Sequence, residues 1–451
     1  MIRPGKGARQ ACLRGRGKVL RGREDGTKDR KTSGFSIILN LGGRVGTRRG
    51  TEGEENGLDN RRGKANHGGM NSFHIQPQVF FGDDAMDRLL ELKGRRVFVV
   101  ADPFVVKSGA IALVTDRLAR CGAEHTVYSE VVPDPPIESV AQGVVALGGF
   151  GGDTMVAIGG GSAIDSAKLI REFRKRIDPS APSMRLIAIP TTSGTGSEAT
   201  NVAVVADTQA QVKIPLMSED LLPDEAILAV ELVKSVPPPL TADTGMDVFT
   251  HALEAIVSRA GSDFSAAFAA RAIEIVGTYL LRSYHDADDL EARSRMHNAS
   301  CLAGMAFNSS SLGLNHGMAH ALGARFHLPH GRANAMILPH VIGFNSGVCA
   351  QTRDCCPGDR AVSGYVAAAR LLGLQTLDAV TAVRALVRWT EFMLAEMGMP
   401  KGVSATGVCS ESEYRAAIPA MTDAALADHC TAGNPRDATA EDVRRLYEAL
   451  W

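Results

Sequence analysis

One carboxylate and three imidazoles, Asp247, His251, His316 and His330, are the residues of this chain best suited to chemistry. They lie in Gly245-Met246-Asp247-Val248-Phe249-Thr250-His251, Asn315-His316-Gly317-Met318-Ala319-His320 and Leu328-Pro329-His330-Gly331. Such a mixed oxygen and nitrogen donor set suits a borderline divalent metal, Fe(II) or Zn(II). Asp247 and His251 are four apart, so on a helix they share one face and can grip one ion. His316 and His320 repeat that spacing, which leaves five candidates for about four places. A single histidine is as readily a hydrogen-bonded core residue. Their gathering in one stretch of small apolar residues favours a metal centre.

The elements that must carry these residues divide into two textures. Arg96-Val97-Phe98-Val99-Val100-Ala101-Asp102 reads as a buried parallel strand ending in a carboxylate. Asp102 thus falls at a strand's carboxyl end, where open α/β sheets bind ligands. There it can accept both ribose hydroxyls of an adenosine and would repel a 2′-phosphate; a helix N-cap before Pro103 is the other reading. Thr154-Met155-Val156-Ala157-Ile158 is a second strand, followed by a turn at Gly159, Gly160, Gly161 and Ser162 and a helix over 163–176. The glycines let backbone approach a pyrophosphate, whose charge is favoured at the helix N-terminus, and Asp165 is a candidate cap. This is not the GxGxxG fingerprint. A third strand, Met184 to Pro190, leads into the polar loop Thr191-Thr192-Ser193-Gly194-Thr195-Gly196-Ser197-Glu198, with Lys213 as a nearby cation. Both loops follow strands, so they are expected to converge on one ligand. After Pro237-Pro238-Pro239, stretches such as 266–282, 361–372 and 379–397 carry Ala, Leu, Arg and Glu at helical spacing. The triple proline marks a boundary.

Bulk properties bound the rest. At 451 residues there is length for two or three domains, and no run of 18 apolar residues indicates a membrane span. Residues 1–69 hold 16 glycines, with 17 Lys+Arg against 7 Asp+Glu, while the remainder holds 32 against 43. That basic leader offers no core and reads as disordered. Without interleaved aromatics it is a poor nucleic-acid arm, and it lacks a signal-peptide layout. Translation is expected to start at Met70, where the composition becomes globular. Eight cysteines without CxxC spacing fit reduced thiols in the cytoplasm, and Cys355-Cys356 reads as part of a loop.

Long motifs in a fixed order then carry a resemblance. Gly159-Gly160-Gly161-Ser162-Ala163-Ile164-Asp165-Ser166-Ala167-Lys168, the 190–198 loop, Thr241-Ala242-Asp243-Thr244-Gly245-Met246-Asp247, Gly313 to His320, Pro329-His330-Gly331 and Asn434-Pro435-Arg436 resemble the iron-containing (group III) alcohol dehydrogenases over Phe73 to Trp451. Met296 to Phe307 looks most like the 1-propanol and ethanol dehydrogenases of propanediol or ethanolamine utilisation. The resemblance implies the dehydroquinate synthase-like fold: an α/β dinucleotide-binding domain (70–237) and an all-α metal-binding domain (238–451), behind the 1–69 extension. It assigns the metal to Asp247, His251, His316 and His330. His320 is set near the nicotinamide as a proton relay. NAD contacts fall to Asp102, Gly159, Gly160, Gly161, Ser162, Thr191, Thr192, Thr200 and Lys213. Phe307 and Leu312 would line the substrate pocket. One departure is Ala229-Val230, where the family carries Asp-Pro.

The implied reaction is reversible hydride transfer between a short-chain primary alcohol or aldehyde and NAD, with Fe(II), or Zn(II), as Lewis acid. Homodimers or larger homo-oligomers in the cytoplasm, or within a bacterial microcompartment, are implied too, with no nucleic-acid or membrane partner. The alternatives are a zinc polyol or lactaldehyde/diol oxidoreductase, a metal-free maleylacetate reductase-like enzyme, and a noncatalytic nucleotide- or nucleic-acid-binding protein.

Overall fold

The computed structural model of the chain describes residues 73–133, 135–207, 212–348 and 359–451; the basic leader and the Cys355-Cys356 loop lie outside them. The first half is built from eight strands, β1 (Gln78–Phe81), β2 (Arg96–Ala101), β3 (Glu124–Tyr128), β4 (Thr154–Gly159), β5 (Arg185–Pro190), β6 (Val202–Asp207), β7 (Val212–Met217) and β8 (Glu225–Leu228). Six of them form a parallel sheet in the order β1-β8-β5-β4-β2-β3, while β6 and β7 pair antiparallel as a separate ribbon. The continuous apolar runs that mark a doubly buried strand are the middle of this sheet. Side chains alternate between two cores: Val97, Val99, Val156, Ile158, Ile187 and Ile189 enter one. Phe98, Val100, Met155, Ala157, Leu186 and Ala188 enter the other.

The helices of this half cover those faces: α1 (Pro103–Lys107), α2 (Ala112–Cys121), α3 (Ile137–Phe150), α4 (Gly161–Ile177) and α5 (Val230–Val233). From β2 the chain moves outward to β3, then returns to the other side of β2 as β4 and β5. That reversal opens a crevice at the carboxyl ends of β2 and β4, where open α/β sheets bind ligands. Register fixes what meets there: Ala101 pairs with Ile158, and Gly159 with Pro190. Gly159 has φ +154°, and a Cβ on it would fall 2.6 Å from Ala163 Cβ and 2.8 Å from Asp102 Cβ. Only glycine permits the turn and the helix to sit this close to Asp102.

The second half is helical throughout its described residues: α6 (Pro238–Val257), α7 (Asp263–His285), α8 (Leu290–Ser310), α9 (Leu314–Phe326), α10 (His330–Ser346), α11 (Arg360–Leu371), α12 (Ala379–Glu396), α13 (Glu411–Ala427) and α14 (Ala440–Glu448). The proline run opens α6 instead of merely interrupting the chain: Pro238 and Pro239 occupy its first turn, where the missing N–H costs nothing and φ is already helical. Ser262, Ser410 and Thr439 make capping boxes on α7, α13 and α14. α10 separates two cores. Ala335, Leu338 and Ile342 pack with α6, α7 and α8, whereas Ala333, Met336, Ile337 and Val341 pack with α9, α13 and α14. α7 is long and apolar enough in composition to cross a membrane. Its Ala269, Ala272, Ile273, Val276 and Leu280 are buried against the helical core instead.

Residues 70–451 form one unit, and the polar loop after β5 is a main joint between its halves. Ser193 Oγ lies 3.0 Å from His297 Nδ1 on α8. Gly194 lies so close to α6 that a Cβ there would sit 2.7 Å from Thr244 Cβ. Asn201 N–H donates to Asn308 Oδ1 at 2.7 Å.

Candidate metal and cofactor site

Three helices deliver the expected ligands. α6 presents Asp247 and His251 one turn apart, α9 presents His316 in its first turn, and α10 begins at His330. One ligand atom from each of these four lies within 4.8 Å of the others. Asp247 Oδ1 is 3.7 Å from His316 Nε2 and 3.6 Å from His330 Nε2. His251 stacks on His316 with ring centroids 4.6 Å apart. Asp247, His251 and His316 are buried, and His330 is the open member. The buried His251 Nδ1 has no hydrogen-bond partner. A carboxylate and three imidazoles converging on one point, three of them buried and one open, fit a four-donor divalent ion with an accessible side.

His320, left open by spacing alone, stands apart from that set. Its Nδ1 is 2.8 Å from Asp428 Oδ2, and it groups with Asp428 and Cys430. Its ring still stacks on His330 at 5.2 Å. The Nδ1 contact with a carboxylate selects the tautomer that leaves Nε2 as the free ring nitrogen.

Three supporting residues escaped the sequence reading. Glu254 accepts from His316 Nδ1 and from the Asn315 N–H, the latter at 2.8 Å. Asn334 directs its amide at Asp247 Oδ1 (2.7 Å) and at the Nε2 atoms of His316 and His330, both 3.1 Å away. Asp428 holds His320. Glu254 continues the helical face of Asp247 and His251 at the next turn, and Asn334 is four residues after His330, so spacing offered a signal for both. Asp428, 108 residues from His320, offered none.

The charges are mutually adjusted. Burial alone would raise the Asp247 carboxyl, yet His251, His330 and His316 hold it well below the usual carboxylate range. Burial pushes His251 down to about 3, keeping it neutral. Burial also opposes the charged form of His316, but Glu254 and Asp247 outweigh it and raise the imidazole to about 9.

The cofactor candidates gather at the carboxyl edge of the sheet. Gly160 is the N-cap of α4 and makes no side-chain cap bond; the Ala163 N–H turns back to Gly160 O at 3.1 Å, and the positive end of the helix dipole lies at the carboxyl edge of the sheet. A Cβ at Gly160 would sit 3.8 Å from Thr192, and one at Gly161 3.1 Å from Thr195. The glycine turn and the polar loop thus meet. Thr191 N–H donates to Gly159 O at 3.0 Å. Asp102 caps α1 by accepting from Phe104 N–H at 2.7 Å, the N-cap use expected of it before Pro103. Asp165 does not cap α4; it accepts from Ser197 Oγ and Val204 N–H and braces the loop from below. Thr200 is buried, with its hydroxyl between Lys168 Nζ and Ser197 O. Lys213 pairs with Ala206 in the β6–β7 ribbon, and its side chain lies outside the described residues. Phe307 stacks on His251 at 4.5 Å, while Leu312 is buried just beyond Ser311, which holds φ +62° at the α8–α9 joint.

The chain is similar to known proteins over most of its length. Residues 76–230 match the family model described as iron-containing alcohol dehydrogenase. Residues 241–451 match that of the Fe-containing alcohol dehydrogenase family, C-terminal. The chain is 40% identical over 383 residues to the 1-propanol dehydrogenase PduQ of Salmonella typhimurium, covering 84% of this chain and 100% of that one. It is 34% identical over 396 residues to the NADPH-dependent butanol dehydrogenase of Clostridium saccharobutylicum, covering 85% and 98%. Among solved structures, the iron-containing alcohol dehydrogenase of Thermococcus thioreducens superposes with a TM-score of 0.75 at 30% identity, covering 84% and 99%.

Proposed function

The chain belongs to the iron-containing alcohol dehydrogenase family, and from that premise we propose that it interconverts short-chain primary alcohols and aldehydes, propanol with propionaldehyde or ethanol with acetaldehyde, using NAD and Fe(II). The observation that carries the reading is the convergence of Asp247, His251, His316 and His330 within 4.8 Å, the first two on α6, the helix that the polar loop meets at Thr244. We take 70–237 as the nucleotide-binding domain and 238–451 as the metal-binding one.

Asp247, His251, His316 and His330 would hold the ion. Bound there, Fe(II), or Zn(II) in its place, supplies Lewis-acid polarisation of the substrate oxygen. NAD supplies the hydride acceptor, and its reduced form the donor. The protein does the remainder. Glu254 fixes the His316 tautomer so that Nε2 faces Asp247. His320, oriented by Asp428, takes up or returns the alcohol proton at Nε2, the nitrogen that the carboxylate leaves free. Phe307 covers the His251 ring and keeps water from that side. Gly159, Gly160, Gly161 and Ser162 cradle the pyrophosphate at the head of α4, with Thr191 and Thr192 on the opposite wall. Thr200 and Lys213 secure the cofactor's surroundings. Asp102 accepts from the adenosine ribose and disfavours a 2′-phosphate. Phe307 and Leu312 form the apolar end of the substrate pocket.

A homodimer or larger homo-oligomer in the cytoplasm, or inside a bacterial microcompartment, without nucleic acid or membrane, completes the reading. The similarity to a 1-propanol dehydrogenase supports its substrate side. The test is NADH-linked reduction of propionaldehyde, acetaldehyde and lactaldehyde by anaerobically purified protein. Preference for propionaldehyde or acetaldehyde is expected. Preference for lactaldehyde or glycerol, or no turnover with any of them, overturns it.

A further inference from the structure

Apart from the metal ligands, a small cavity lies in the joint between the two halves, behind the polar loop. Its walls include Ser193 of the loop, Val233 at the end of α5, Thr241 and Thr244 of α6, Ser283 of α7 and Arg293 of α8. Arg293 is only 3% exposed. Its Nη1 donates to Thr241 Oγ1 at 2.9 Å and to Val233 O at 3.4 Å. Its Nε and Nη2 are buried and have no hydrogen-bond partner. Among the described residues, the acid whose charge reaches it is Asp286, on the exposed cap of α7, and no carboxylate lines the cavity. Burial accordingly depresses the guanidinium below its ordinary range.

A buried cation with two unused donors is strongly disfavoured unless an opposite charge accompanies it. Neighbouring hydroxyls do not provide one. Thr244 donates to Leu240 O and Thr241 to Pro237 O, while the Ser193 hydroxyl is engaged with His297. The void has room for a single body of about the size of a water molecule and too little for a phosphate or a carboxylate ligand. Water would satisfy the N–H groups but would leave the charge unmatched.

We propose that this cavity binds one small monovalent anion of the halide class, chloride in the native protein, against Nε and Nη2 of Arg293. The ion neutralises Arg293 and, through walls drawn from both halves, ties the polar loop to α6, α7 and α8. Ser193 is the residue after Thr192, so occupancy braces the nucleotide loop from behind.

Two measurements on the full chain test the proposal, and it requires both. Crystals grown with bromide in place of chloride should show an anomalous peak in contact with Arg293 Nε and Nη2. Water alone there, or bromide only at exposed sites, overturns it. In solution, chloride should raise Tm relative to gluconate at equal ionic strength, by about 2 °C per tenfold increase above its Kd for a chain of this size. Identical melting in the two salts overturns it. Arg293→Met should abolish the difference, and a variant that keeps the full chloride response contradicts the site. The wild-type measurements decide the question even where that variant does not fold.

Discussion

Replacing Glu254 by Gln changes one atom type in a buried carboxylate, and the structure sets the consequence. In the native chain Glu254 accepts from the Asn315 N–H through Oε1 and from His316 Nδ1 through Oε2. A glutamine can serve only one of these as an acceptor. If its oxygen stays on the Asn315 N–H, its NH₂ faces His316 Nδ1, which must then become the acceptor. The ring proton moves to Nε2, the nitrogen 3.7 Å from Asp247 Oδ1 that ligation requires to be bare. Loss of such a carboxylate behind a metal-bound imidazole typically weakens metal affinity about 10–100-fold, or about 1.4–2.7 kcal/mol. Competition with a chromophoric chelator measures this directly, with Glu254→Asp as a control that keeps the charge. An E254Q variant holding iron and zinc as tightly as wild type would falsify the tautomer argument.

Other consequences are read from stability and kinetics. Glu198 is buried with both carboxylate oxygens unpartnered, and burial raises it from 4.5 to about 7. The native state thus keeps a proton that the unfolded chain has released, so stability from this group is full below pH 4.5 and declines as pH rises to about 7, by at most about 3 kcal/mol. Glu198→Gln should match wild type at the acid end and melt higher at pH 7, and a pH-independent difference in Tm refutes the assignment. Asp102→Ser keeps an N-cap for α1 while removing the charge. The ratio of kcat/KM for NADP over NAD should rise by about tenfold, or about 1.4 kcal/mol, and an unchanged ratio excludes Asp102 from cofactor choice. Gly194→Ala places a methyl 2.7 Å from the Thr244 Cβ. Overpacking there should cost roughly 1–3 kcal/mol and raise KM for NAD, and wild-type melting and KM together would show the joint to be slack.

Legibility differed by the range of the interaction. β2, β4 and β5 were readable because a strand buried on both faces must be continuously apolar, and α7, α11 and α12 because one face repeats at helical period. The edge strands β1 and β3 and the inner strand β8 are short, and β8 pairs with β1 and β5, partners distant in sequence. The proline run was visible as a boundary, but its role as the first turn of α6 depended on which backbone N–H groups lacked partners. Asp247 and His251 announced a shared face. His316 against His320 could not be separated by spacing, since both are four-residue neighbours on α9; the resemblance made the choice. Asp428 distinguishes them in space, beside His320 and away from His316. Arg293 gave no sequence signal, because an arginine in a helix reads as solvated until its burial is known.

The central claim is a single divalent ion held by α6, α9 and α10. Elemental analysis of anaerobically purified wild type and His316→Ala, alongside NADH-linked turnover of each, tests it most directly. The account predicts one iron or zinc per wild-type chain, and neither metal nor turnover in a folded H316A variant. Wild type that stays fully active after its metal has been stripped would contradict it.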